Sequence, residues 1–341
     1  MTLFDMDAVI IREEKYLTED FVPEEMLHRD GQKQEVANSL KPAIAGRTPG
    51  NLFLYGPTGT GKTSMIKWIF QELEKNTQKA KCVYVNVWRK DTTHAILTEI
   101  LRQLNIFTTL KQSRNEMLDL LNKNIKNNGY KLVICLDEID QLRDEELLYT
   151  FSRDGHSLVL ISNDKYALMD LDDRIKSSLT LNSIEFPKYS PKDIEEIIAQ
   201  RSEYGLIQNA IVEEHLRIIA HQSKGDARVA IDLLRKSVLN AESDNCSKID
   251  IKHVKKAIDE KEFLRKSKVL PRLNPHQKLL YEIIEQEKQI ESGKLYELYS
   301  NRSDSPVIDR TYRKFMTFLV NQKIIESISD GRWRKYRIIN E

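Results

Sequence analysis

Gly56-Pro57-Thr58-Gly59-Thr60-Gly61-Lys62-Thr63 fits the pattern G-x-x-x-x-G-K-[ST]. Its chemistry is that of a phosphate cradle. The glycines let the backbone curl so that successive N–H groups face phosphate oxygens, and the N-terminus of a following helix adds its dipole. Lys62 is placed to reach the β- and γ-phosphates, and the Thr63 hydroxyl to bind Mg²⁺. The implied ligands are ATP or ADP with Mg²⁺. A second constellation follows an apolar run: Leu132-Val133-Ile134-Cys135-Leu136 leads directly into Asp137 and Glu138. Asp137 is expected to hold Mg²⁺ through water, and Glu138 to orient and activate the attacking water. An Asp-Glu pair alone means little on a solvated face. At the C-terminal end of a strand, beside a phosphate loop, it sits where open α/β sheets bind ligands.

Three further polar residues gain meaning only beside these two. Asn163 ends the strand Leu158–Ser162 and can aim an amide at the γ-phosphate and the water. Arg228, in Gly225-Asp226-Ala227-Arg228, begins a helix and can reach the nucleotide from a second domain. Arg174, in Asp173-Arg174-Ile175-Lys176-Ser177-Ser178-Leu179, can reach a neighbour's γ-phosphate. Taken singly, each reads as a surface residue or a helix cap.

The elements that must position these groups follow from periodicity. Val36, Leu40 and Ile44 recur at four-residue steps in a predicted helix Arg29–Ala45. Strands are predicted at Asn51–Tyr55, Cys82–Val87, Lys131–Leu136, Leu158–Ser162 and Ser183–Phe186, and helices at Lys62–Leu73, Asp91–Leu104 and Asn115–Ile125. Asp91 and Thr92 are the cap candidates of the second of these helices. Alternating strands and helices imply a parallel, doubly wound sheet. After Pro187 the strands stop, and Pro191–Glu203, Val212–Gln222, Ala227–Asn240 and Ile251–Glu260 read as an all-helical block. Pro271 opens a third segment: helices at His276–Glu287, Ser292–Tyr299 and Asp309–Gln322, the β-branched run Ile324–Ile328, an Asp330-Gly331 turn and Trp333–Ile339. That order is a winged-helix outline. Residues 1–22 read as an extended leader.

The chain has 341 residues, 31% of them charged and 40% hydrophobic, with 12 Gly and 9 Pro, the composition of a folded multi-domain protein. No run approaches a membrane span, and Met1–Arg12 carries Asp5 and Asp7 in place of the apolar core of a secretory signal. Cys82, Cys135 and Cys246 form no CxxC pair, and the seven His include no HExxH, which argues against zinc and for core thiols in a reducing cytoplasm. The net charge of +1 is unevenly spread: residues 265–341 hold 16 Lys and Arg against 10 Asp and Glu, leaving −5 on the remainder. A basic C-terminal third implies an anionic partner or a solvated charged face.

Together these residues resemble the AAA+ archaeal initiators related to the origin recognition complex and the cell-division-control-six (Cdc6) protein. Val22-Pro23 and His28-Arg29-Asp30 look like that family's segment before the sheet, near the adenine. Asn51–Thr63 matches its first strand and phosphate loop, and Leu136-Asp137-Glu138-Ile139-Asp140 its Walker B motif. Ile161-Ser162-Asn163 looks like sensor 1, Asp173–Leu179 the box that carries the arginine finger, and Gly225–Arg228 sensor 2. The implied fold is an AAA+ α/β core (1–187), a helical lid (188–265) and a winged helix (266–341). The implied nucleotide set is Gly56 to Ser64 with Val22, Pro23, His28, Arg29, Tyr189, Arg201 and Arg228.

The resemblance also implies partners: double-stranded origin DNA, the replicative helicase, other initiator copies or paralogues, and a cytoplasmic, nucleoid-associated place of action. Arg310, Arg313 and Lys314 at the start of the third helix, and Arg332, Arg334 and Lys335 in the wing, are the DNA-binding candidates. The wing departs from the family in lacking a second glycine after Trp333. Helix Asp91–Leu104 falls where initiators insert a DNA-touching helix, with His94 and Arg102 as candidates; it equally fits an ordinary covering helix. A branch-migration motor also joins an AAA+ core to a winged helix, but calls for a β-hairpin in the core. A clamp-loader subunit calls for Ser-Arg-Cys and a helical collar, and here Arg174 precedes Ile-Lys-Ser-Ser and the chain ends in a hairpin.

Overall fold

The computed structural model describes residues 9–109, 112–322, 324–330 and 333–338. They fall into two compact units, one reaching Val254 and the other beginning at Lys255.

The first unit opens with helix α1 (Asp30–Leu40), followed by strand β1 (Asn51–Tyr55), α2 (Lys62–Asn76), β2 (Ala80–Asn86), α3 (Thr93–Gln103), α4 (Arg114–Asn128) and β3 (Lys131–Asp137). Then come α5 (Glu146–Arg153), β4 (Ser157–Ser162), α6 (Asp173–Leu179) and β5 (Leu181–Glu185). The five strands form one sheet in the order β2-β3-β4-β1-β5, all parallel. Alternate residues of each strand face opposite ways, and helices cover both faces. Phe53, Val83, Val85, Ile134, Leu136, Leu158 and Leu160 pack beneath α3, α4 and α5. Leu52, Leu54, Val133, Cys135, Val159 and Ile161 pack beneath α1 and α2. This is why the strands read as continuous apolar runs. Burial also pushes the Cys82 and Cys135 thiols up, making them inert core groups.

Helix α3 behaves as a covering helix. Thr92 caps it by accepting from Ala95 N, and Ile96, Leu97, Ile100 and Leu101 are fully buried. Its outer candidates are His94, which is exposed, and Arg102, which pairs with Glu99.

Helices α7 (Pro191–Gly205), α8 (Glu213–Ser223) and α9 (Ala227–Ser243) form the helical block, and α10 (Ile251–Val269) follows. The leader segment departs from the extended reading. A 3₁₀ turn forms at Glu14–Leu17, Ile10 and Leu17 are buried, and the backbone is tied to the helical block. Arg12 N and Glu13 N donate to Gly205 O, and the buried Glu242 carboxylate accepts from Ile10 N at 2.7 Å and Ile11 N at 3.1 Å. An acceptor more than 230 residues away leaves no local signature.

In the second unit, α11 (Pro275–Glu287), β6 (Gln289–Glu291), α12 (Ser292–Arg302), α13 (Asp309–Asn321), β7 (Ile325–Asp330) and β8 (Trp333–Ile338) follow in order. The three strands pair antiparallel as β6-β8-β7. Three helices with this small sheet are a winged helix; β6 is the strand that periodicity missed. Its core is built on Tyr299, Leu280, Ile284, Tyr312, Met316 and Leu319.

Candidate active site

The phosphate loop, the Asp137-Glu138 pair and Asn163 gather at the C-terminal edge of the parallel sheet. The phosphate loop follows β1, Asp137 ends β3, and Asn163 follows β4. The loop's conformation belongs to its glycines. Gly56, Gly59 and Gly61 have φ of 143°, 68° and 91°, a region that L side chains rarely adopt. A Cβ on Gly56 would also lie 2.2 Å from the Phe186 carbonyl oxygen, and one on Gly59 1.8 Å from Asp226 Oδ1.

Lys62 is buried. Its ammonium donates to Gly56 O at 2.6 Å, Pro57 O at 2.8 Å and Asn163 Oδ1 at 3.0 Å, which uses all three of its protons. Burial lowers its pKa to about 8, against the pull of Asp137. Thr63 Oγ1 donates to Asp137 Oδ2 at 2.6 Å. Glu138 sits in the left-handed region at φ 58° and donates its backbone N–H to Asp137 Oδ1. Burial, then Asp137 and Asp140, raise the Glu138 carboxyl, which moves it toward the range of a general base. Asp140 itself accepts from Ser162 Oγ.

A second set of elements closes over the loop. Asp226 caps α9 by accepting from Val229 N and also accepts from Thr58 Oγ1 at 3.3 Å, while Ala227 N donates to Gly59 O at 3.0 Å. This places Arg228 in the cleft wall, its Nε 3.1 Å from Glu19 Oε2. The cleft encloses about 990 Å³ including its open mouth. Its wall takes in Thr58 to Ser64, Asp137, Glu138, Asn163, Pro23, Tyr189, Arg201 and Arg228 from the expected set. The structure adds the acid Glu19 and the apolar side chains of Met26, Leu27, Ile197 and Ile231.

Val22, His28 and Arg29 are not among the residues that line the cleft, and of the three Arg29 touches its wall. Arg29 donates to Thr60 O and Pro187 O and stacks 3.8 Å over the Tyr189 ring. It braces the loop from behind. His28 Nε2 is 2.9 Å from Glu196 Oε2, but the pair is not aligned as a hydrogen bond. Arg201, its pKa brought down to about 10 by burial, donates to Tyr16 O and Phe21 O and so fixes the leader against the cleft.

Arg174 is outside the cleft. It pairs with Glu146 Oε2 at 2.8 Å and lies 4.7 Å over the Tyr149 ring. Sequence reasoning missed Tyr84, whose hydroxyl donates to Asp137 Oδ2 at 2.7 Å. Burial and Asp137 push this phenol up, so it stays protonated. Alternation along β2 puts Cys82, Tyr84 and Asn86 on one face, and a tyrosine there was the available signal.

In the second unit, Arg310, Arg313, Lys314 and Arg334 are exposed. Arg313 pairs with Asp309 at 2.7 Å. Arg332 and the Gly331 turn lie outside the described residues. In α13, Tyr312 and Met316 are buried and Phe318 is 38% exposed.

Residues 45–166 match the AAA domain family and residues 195–259 the Cdc6 AAA+ ATPase-type lid domain. The ORC1-type DNA replication protein 1 of Sulfurisphaera tokodaii is 32% identical over 97% of this chain and 90% of its own. The chain belongs to the ORC1-type family of DNA replication proteins. It is an AAA+ ATPase. The Archaeoglobus fulgidus ORC1-type DNA replication protein 1 is likewise 32% identical, over 99% of this chain and 90% of that one. The Aeropyrum pernix Orc1 protein, solved in complex with DNA, superposes with a TM-score of 0.71 at 28% identity, covering 97% of this chain and 94% of that one. The loop, Lys62 and Glu138 all line this one cleft. The Thr63–Asp137 pair offers oxygen donors only, a hydroxyl and one carboxylate, the hard and sparse set that suits Mg²⁺ sharing its shell with phosphates and water.

Proposed function

We propose that this ORC1-type chain is an ATP-switched initiator that binds origin duplex DNA and helps recruit the replicative helicase. ATP sits with its phosphates on Gly56–Thr63 and its base toward Pro23, Tyr189 and the apolar lining. Thr63 and Asp137 hold Mg²⁺, which neutralises phosphate charge when bound. Glu138 draws the proton from the attacking water, Asn163 orients that water, and Arg228 reads the γ-phosphate in cis. Arg174 acts in trans, on nucleotide held by another copy or a paralogue. The reading divides the chain into an AAA+ core (1–187), a lid (188–265) and a DNA-binding winged helix (266–341). In that last domain Arg310, Arg313 and Lys314 enter the major groove and Arg332, Arg334 and Lys335 follow the phosphates. A cytoplasmic, nucleoid-associated place of action goes with this.

The observation that carries the proposal is the seam between loop and lid. Ala227 N on Gly59 O, and Asp226 on Thr58 Oγ1, join the phosphate loop directly to the first turn of α9. A γ-phosphate arriving on the loop therefore acts on the lid without an intermediary, as a switch requires. The DNA arm of the reading is supported by the basic winged helix and by a relative solved in complex with DNA. Fluorescence anisotropy with cognate and scrambled duplexes, each with ATP, ADP or no nucleotide, tests both arms. Cognate preference that changes with nucleotide is expected. Equal, nucleotide-blind binding to both duplexes would overturn it.

A further inference from the structure

We propose that Tyr84 is a positioning residue for the metal-binding carboxylate of this site. From β2, its hydroxyl locks Asp137 in the orientation that serves Mg²⁺ beside Thr63. The inference rests on the Mg²⁺ assignment above.

Asp137 is held by donors from three separate elements. Oδ2 accepts from Thr63 Oγ1 on α2 at 2.6 Å and from Tyr84 Oη on β2 at 2.7 Å, and Oδ1 accepts from Glu138 N just past β3 at 2.9 Å. A carboxylate with one donor per oxygen can still swing about its terminal torsion, which is broad and roughly two-fold. The second donor on Oδ2 comes from a different direction and removes that freedom. Tyr84 itself has little freedom to follow. Gln103 brackets its backbone, accepting from Tyr84 N at 3.0 Å and donating to Tyr84 O at 2.7 Å. Lys67 Nζ lies 4.8 Å from its ring centroid, and the ring packs against the core on the α2 face of the sheet. A tyrosine has only two torsions, so little entropy is lost in holding it.

The arrangement has a chemical consequence. A metal at Thr63 Oγ1 needs that hydroxyl as a ligand while its O–H stays directed at Asp137. If the carboxylate turned to follow the proton, its other lone pairs would leave the metal's water. The Tyr84 hydroxyl takes one lone pair of Oδ2 and so fixes where the rest point. Partners that orient a metal's ligands typically contribute about 10–100-fold in metal affinity.

Tyr84→Phe keeps the ring and its packing and removes only the hydroxyl. The full chain is titrated with a fluorescent ATP analogue, first in EDTA and then across a Mg²⁺ series. Affinity in EDTA is expected to stay within about two-fold of the parent, because the loop and Lys62 are untouched. The Mg²⁺ concentration giving half of the metal-dependent gain is expected to rise about 10-fold. Tyr84→Leu, which also removes the ring, should shift the metal midpoint by a similar factor. Thermal melting without ligand or metal checks that both variants fold. A Tyr84→Phe midpoint equal to the parent's overturns the proposal. So does an equal loss of affinity with and without Mg²⁺, which would mark Tyr84 as merely structural. A parent protein whose nucleotide affinity ignores Mg²⁺ overturns the metal assignment itself, and that outcome is visible before any variant is made.

Discussion

His156 offers a clean test of the physical reasoning, because it lies in the sheet core and away from the chemistry. It is 5% exposed, directly precedes β4 and sits tilted against the Phe151 ring. Its Nε2 is buried with no hydrogen-bond partner among the described residues. Burial brings its pKa from 6.5 down to about 4, with Lys131 adding to the shift and Asp154 opposing it. The folded state therefore holds the neutral ring while the unfolded chain takes up a proton near pH 6.5. The sign follows: stability is fully present above pH 6.5 and is lost as pH falls toward 4. About 2.5 pH units of difference corresponds to roughly 3 kcal/mol. His156→Leu, which keeps similar volume and cannot titrate, should lose less stability over the same range. Urea unfolding of both proteins at steps from pH 7 to 4 isolates the histidine, since every other titrating group is shared. The gap between the two curves should change by about 3 kcal/mol, in favour of the leucine variant at low pH. Parallel curves would refute the buried neutral assignment.

Lys62→Ala should abolish nucleotide binding, while Glu138→Gln should bind normally and lose turnover; equilibrium titration and phosphate release separate the two, and unchanged turnover in Glu138→Gln would remove it as the base. Arg228→Ala should alter nucleotide handling in dilute monomer, whereas Arg174→Ala should change only activity that rises with protein concentration or on DNA, where a trans arginine contributes about 10³–10⁵ in rate. An effect of Arg174→Ala on the isolated monomer would rule out the trans role. Glu242→Ala strands the Ile10 and Ile11 N–H donors and should lower stability by about 1–3 kcal/mol in denaturant melts. Arg332→Ala and Arg334→Ala should weaken all duplexes alike and lower the salt slope by about one each. Arg310→Ala and Arg313→Ala should instead erode preference for the cognate site, because base contacts specify and phosphate contacts position. Anisotropy across a salt series reads both effects, and a quadruple variant with wild-type affinity would take the winged helix out of DNA reading.

What was legible in the sequence was what local chemistry or a repeat encodes. The loop's glycines, the apolar runs of β1, β3 and β4 and the Asp-Glu at a strand end each carry their meaning within a few residues. What was hidden depends on distant partners. The leader has no periodicity of its own, and its conformation comes from Glu242, Gly205 and Arg201. Helix α5 escaped because it is only eight residues long and follows an acid-rich turn. Helix α10 continues to Val269, past the predicted end at Glu260, through a charged stretch that gives no apolar stripe. In α13, Tyr312, Met316 and Leu319 face inward, and Phe318 lies on their flank. Tyr84 was hidden for a simpler reason, since alternation along β2 gives the face its side chain takes but not which carboxylate it will meet on the neighbouring strand β3, two helices later in the chain.

The partners of the cations explain how such a site can act as a switch. The three cations proposed to meet a triphosphate, in cis or in trans, already have acceptors within the chain. Lys62 has three, Arg228 has Glu19, and Arg174 has Glu146. On the proposed reading, ATP binding exchanges partners at Lys62 and Arg228, and at Arg174 only when a neighbouring copy presents its nucleotide, and the exchanges are unequal. The two arginine pairs are half exposed, and pairs of that kind contribute only about 0–1 kcal/mol, so a phosphate displaces them readily. Moving Arg228 releases Glu19, which lies on the leader, and Glu19 is the residue through which nucleotide would be felt there. Lys62 is different, because it is buried and makes three bonds, and Asn163 gives up one of them whenever the lysine moves. The residue expected to orient water is thus freed by the same motion that engages the phosphate. That coupling requires no long-range path, only one amide shared between two tasks.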